Sequence, residues 1–180
     1  MIPAIMDFEA SGLGRGSYPI EVGYVLGDGR SACFLIRPEP EWVGWSEEAQ
    51  QLHGIDRDLL MRKGHPVQQV AYWLNHQLAG ETLYTDAWGS DLTWLSLLFD
   101  AADRVPRFRL QSLRVLLCEG QEKLWHETHA TISRELAIKR HRASGDARLL
   151  QQTFIRTRAL IAEAKRAALN FPPIAIQSPR

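Results

Sequence analysis

Two carboxylates stand one residue apart near the N-terminus, in Asp7-Phe8-Glu9, at the end of a short apolar run. Side chains alternate along a strand, so Asp7 and Glu9 are expected on the same face. Such neighbours repel unless a cation lies between them, and hard divalent ions favour an all-oxygen environment of this kind. A solvated strand end, or a cap for the next element, would use the same triplet. Further acidic residues come in Asp86-Ala87-Trp88-Gly89-Ser90-Asp91, where Asp86 ends an expected strand and Asp91 opens an expected helix. An Asp at a helix start also serves simply as an N-cap. A third group, His141-Arg142-Ala143-Ser144-Gly145-Asp146, sets an imidazole shortly before a carboxylate. Ser144 is placed to cap the final helix, with Asp146 in its first turn, where the macrodipole alone favours an anion.

These groups are distant in sequence, so a shared centre needs a fold that gathers them. Apolar runs at 2–8, 18–26 and 31–37 read as strands, the last two as a hairpin turning at Gly27-Asp28-Gly29. A loop rich in Pro, Trp and Glu fills 38–45. Short helices are expected at 46–52 and 56–62, and a longer one at 66–78 with Pro66 in its first turn. Residues 82–85 read as a strand, 91–101 as a helix and 109–110 as a last short strand. Helical patterns then cover 112–117, 121–139 and 146–169, stopped by Asn170 and Pro172-Pro173. Strands, then alternating helix and strand, then helices: the expectation is an α/β domain with a mixed sheet over 1–170 and a C-terminal tail at 171–180.

The 180 residues carry no net charge, with 45% hydrophobic and 23% charged residues, which suits a globular domain. That neutrality argues against a histone-like binder, whose affinity comes from broad phosphate neutralisation. It leaves room for an enzyme that holds a short strand in one pocket. Cys33 and Cys118 form no metal-ligand or redox spacing. No signal-like start and no run of ~18 apolar residues is present, so a cytoplasmic protein without a membrane span is expected.

In order and company, the D-x-E after the first strand, the central Asp and the H-x4-D near the last helix resemble the DnaQ-like (DEDDh) 3′→5′ exonuclease family of the RNase H-like superfamily. Ile20-Glu21-Val22-Gly23, Leu52-His53-Gly54-Ile55 with Gly64-His65-Pro66, and Asp91-Leu92-Thr93-Trp94-Leu95 resemble further segments of that family. Two departures stand out. Ala10-Ser11 replaces two threonines, and the second motif is one residue longer, with neither Asn nor Phe. The spacing from Asp91 to Leu95 favours Asp91 over Asp86.

The resemblance implies an RNase H-like fold, an α/β mixed five-stranded sheet flanked by helices. It also implies two divalent cations, Mg2+ or Mn2+, with Asp7 bridging both and Glu9 and Asp146 completing one shell. Asp91 would act mainly through water, and His141 would be the general base. An imidazole with its ordinary pKa near ~6.5 suits that task around neutrality. The backbone of Ala10 and Ser11, the side chain of Leu13 and the His53 region would surround the terminal nucleotide, although a loop histidine that merely packs or caps is an equal reading of His53. Lys139, Arg140, Arg142 and Arg148 cluster near the third motif, where they would attract phosphate or form a solvated basic face. Among six Trp residues, Trp88 lies nearest a motif.

The expected partner is the 3′ end of single-stranded DNA or RNA, and a homodimer or larger nucleic-acid-processing assembly is compatible with the sequence. Two other classes fit the same residues: a phosphodiesterase confined to dinucleotides or very short oligonucleotides, and a non-catalytic nucleic-acid-binding module. The complete carboxylate set argues against the last.

Overall fold

The computed structural model describes residues 1–136 and 141–169. Its sheet has the order β3-β2-β1-β4-β5. Strands β1 (Ala4–Ala10), β2 (Pro19–Val25) and β3 (Ser31–Leu35) form an antiparallel meander, and β4 (Thr82–Thr85) and β5 (Arg109–Ser112) extend it in parallel from β1. Helices α1 (Glu47–His53), α2 (Arg57–Lys63), α3 (Val67–Gln77) and α4 (Trp88–Ala101) lie between β3 and β5 in the chain. A 3-10 turn (Leu113–Leu116), α5 (Glu119–Glu135) and α6 (Ala143–Leu169) follow.

Alternation along β1 decides what each face of the sheet carries. Met6, Phe8 and Ala10 join Ile20, Val22, Tyr24, Leu74, Leu98 and Phe99 in the larger core. Ile5 points the other way, into a smaller core with Val25, Leu113, Ala147, Leu150 and Phe154. Asp7 and Glu9 share Ile5's parity and therefore face α6, as the two-residue period predicts. Their partners across β2 are Gly23 and Glu21.

Gly23 has a specific steric task. A Cβ there would lie 2.3 Å from the backbone nitrogen of Ser144, so only glycine lets the first turn of α6 settle onto the sheet. Gly54 has another: with φ 68 it closes α1 in the left-handed conformation, its N–H bonded to the Gln50 carbonyl.

The helix starts differ from the sequence expectation at two places that matter. Helix α4 begins at Trp88 rather than Asp91, which turns Asp91 inward as a buried first-turn residue instead of a cap. Helix α6 begins at Ala143, so Ser144 lies within the helix and does not cap it. The acceptor for the Ala143 N–H is instead the Glu21 carboxylate, at 2.8 Å. This cap comes from across the fold and leaves no local signature. Lys139, Arg140 and the tail lie outside the described residues.

Candidate metal centre

The centre forms where β1 and β4 end. Asp7 comes from the middle of β1, Glu9 from near its end, and Asp146 from the first turn of α6. One carboxylate oxygen from each lies within 4.8 Å of the others. These three, with Phe8, Asp86, His129, His141 and Leu150, line a cavity of about 210 Å³. Asp91 is not in that lining. It is buried beneath the site, where its carboxylate accepts the Thr85 hydroxyl, and its charge still reaches Asp7.

Burial and crowding make these carboxyl groups hold protons unusually well. Asp7 is raised well above the usual carboxylate range, first by burial, then by the charges of Asp91, Glu9, Asp146 and Asp86. Burial pushes Glu9 up to about 8, with Asp146 and Glu21 adding to the effect and Arg142 opposing it. Burial raises Asp91 to about 7 against the stabilising Thr85 hydroxyl, and raises Asp86 as well. Removing this repulsion requires either protons or cations. Clustered carboxylate oxygens without thiolate suit hard ions such as Mg2+ or Mn2+. The donor set therefore fits divalent cations.

The loop before α6 is fixed by two carboxylates. The His141 backbone N–H donates to Asp146 Oδ2 at 2.7 Å, and His141 adopts φ 60, in the left-handed region that non-glycine residues rarely enter. Behind it, the fully buried Glu21 receives Arg142 Nε at 3.0 Å and Arg142 Nη2 at 2.5 Å, besides the Ala143 N–H. Charge-assisted forks of this kind are geometrically demanding. The Glu21–Arg142 pair thus holds the segment carrying both His141 and Asp146 against β2, the neighbour of the strand bearing Glu9.

The residues expected around the terminal nucleotide fall beside this centre with different exposures. Ala10 and Ser11 are buried, and Leu13 is 91% exposed. The Ser11 N–H bonds the Tyr18 carbonyl and its carbonyl accepts from Ser46, so this backbone is already committed. Gly12 to Gly14, Arg15 and Trp45 border an open cavity of about 310 Å³ beyond the end of β1. His53 is 3% exposed; its Nδ1 accepts the Ile55 N–H, leaving Nε2 as a buried donor with no hydrogen-bond partner among the described residues. Burial lowers its pKa, which keeps the ring neutral.

Three participants were not singled out from sequence as part of the centre. Glu21 had a usable signal, a charge inside an apolar strand. Asp86 was recognised only as a competitor of Asp91. His129 had none, because only the orientation of α5 brings it to the cavity.

No protein-family model and no curated protein sequence matches the chain. Solved structures do resemble it. Escherichia coli exonuclease I in a zinc-bound complex with single-stranded DNA matches with TM-score 0.61 and 13% identity, over 86% of this chain and 40% of that one. The same enzyme bound to a 5cy-dT13 oligonucleotide matches with TM-score 0.63 and 12% identity, over 94% and 45%. The chain thus spans less than half the length of these neighbours. At such identity the likeness establishes the fold: an RNase H-like mixed five-stranded sheet flanked by helices. No helix among the described residues is long and apolar enough to cross a membrane.

Proposed function

We propose that the chain is a divalent-metal-dependent 3′→5′ exonuclease of the DnaQ-like, DEDDh type, releasing nucleoside 5′-monophosphates from single-stranded nucleic acid. The observation that carries this reading is the convergence of Asp7, Glu9 and Asp146 oxygens within 4.8 Å of one another. A histidine ring on the rim and neighbours of the same fold described with single-stranded DNA support it.

Asp7, Glu9 and Asp146 would hold two cations, with Asp91 assisting from beneath. Bound there, the cations would shield the phosphodiester charge and stabilise the attacking and leaving oxygens. His141 accepts a proton from the attacking water as its oxygen bonds to phosphorus, and the bond to the 3′-oxygen of the preceding nucleotide breaks. The Asp146 contact to the His141 N–H orients the loop for that transfer. Ala10, Ser11, Leu13 and His53 surround the terminal nucleotide. The His53 Nε2–H supplies a donor whose desolvation a bound sugar or phosphate oxygen would repay.

Digestion of a short 5′-labelled oligonucleotide, as DNA and as RNA, with Mg2+ or Mn2+ tests the reading. Stepwise shortening with the label retained is expected. Cleavage confined to dinucleotides would replace this reading with a phosphodiesterase, and binding without cleavage would make the chain a non-catalytic module.

A further inference from the structure

A second cavity, of about 470 Å³, opens beside the carboxylate centre and is lined by Asp86, Leu113, Arg114, Leu117, Glu122 and Trp125. Its volume lies in the ~300–1,000 Å³ range of small-molecule sites. Asp86 lines both cavities, which makes them neighbours. Helix α5 reinforces that link. Trp125 and His129 are four residues apart and so lie on one helix face, the indole lining the side cavity and the imidazole the catalytic one.

We propose that this cavity is a subsite for the nucleoside immediately 5′ of the scissile phosphate, with the Trp125 indole carrying the base and Arg114 meeting the next phosphate. The inference rests on the exonuclease reading. A phosphodiester has a nucleoside on each side, and two cavities lie past the ends of the strands that carry or flank the centre. One follows β1, around Gly12 to Arg15 and Trp45; the other is built from the segments that follow β4 and β5. With the terminal nucleotide on the first flank, the strand continues onto the second.

The lining also selects the ligand class. One guanidinium faces two carboxyl groups, so a bare phosphate gains little here. A flat base gains the indole face and the apolar floor of Leu113 and Leu117, and stacking of this kind tolerates any sequence. Trp88, the tryptophan nearest a motif in sequence, instead donates its indole N–H to the Leu110 carbonyl on β5.

The test compares an oligonucleotide with the methyl ester of thymidine 5′-monophosphate, which carries neither a nucleoside nor any ring 5′ of its reacting phosphate. In Trp125→Ala and Arg114→Ala, the oligonucleotide KM is expected to rise about tenfold relative to the methyl-ester KM. Arg114 is exposed, so its variant remains informative even if Trp125→Ala, which removes packing against the smaller core, folds poorly. An unchanged KM ratio in a folded variant that still turns over the methyl ester would overturn the subsite alone. Failure of the wild-type protein to hydrolyse either substrate with Mg2+ or Mn2+ would overturn the exonuclease reading, and the subsite with it.

Discussion

Asp7 and Glu9 illustrate how much a two-residue spacing can specify. It fixed the shared face, but what that face meets depended on Gly23 and Glu21 across the next strand. At this scale the roles divide sharply. Asp7→Ala and Asp146→Ala are expected to lose turnover by several orders of magnitude together with cation binding. His141→Ala is expected to lose about 10²- to 10⁴-fold in kcat while cations still bind, because only proton transfer is removed. Parallel kinetics and Mn2+ titration separate the two cases, and undiminished turnover by His141→Ala would remove it as the base. Glu21→Gln should behave as a positioning change. It weakens the charge-assisted grip on Arg142 and Ala143, so kcat and Mn2+ affinity fall together, while Glu21→Asp recovers part of both. Normal Mn2+ affinity in Glu21→Gln would contradict that role.

Among the elements, the junction between β2 and α6 matters most. Gly23→Ala places a methyl 2.3 Å from the Ser144 nitrogen, and neither backbone can yield without moving His141 and Asp146. Loss of most activity is expected in a protein that retains its secondary structure by circular dichroism; full activity would show that α6 tolerates displacement. This junction also marks where the sequence stopped being legible. Strand β4 was read at its observed limits and the five-strand mixed architecture followed from the pattern, because buried period-two runs are local signals. The start of α6 was misplaced because Ser144 offered a plausible local cap, whereas the actual acceptor, Glu21, arrives from a distant strand. The start of α4 at Trp88 was missed for a related reason: Ala87 provides no side-chain cap to announce it. The depth of Asp91 and the arrival of His129 likewise depend on tertiary packing.

At the scale of the whole molecule, the acidic centre acts against folding unless it is neutralised. The raised carboxyl groups retain protons in the folded protein at pH values where unfolded carboxyls, with pKa near ~4, have released them. The folded state then binds more protons than the unfolded one between about pH 4 and 8, so these groups make the cation-free protein less stable as pH rises through that window. Mg2+ or Mn2+ replaces those protons, and is expected to raise Tm more at about pH 8 than at about pH 5.5. Thermal melts at both pH values, with cation and with chelator, check the sign. A cation-induced shift of equal size at both would mean that the carboxylates are not what the ion binds.

Acidic side chains from β1 and from the first turn of α6 meet in one candidate cation centre. Calorimetric titration of Mn2+ into the wild-type protein and Asp7→Asn, near neutral pH, is the decisive experiment on that centre. Binding by the wild-type chain with proton release is expected, as is loss of that binding in a folded Asp7→Asn variant. Equal Mn2+ binding by the two proteins, or none by the wild-type chain, would contradict it.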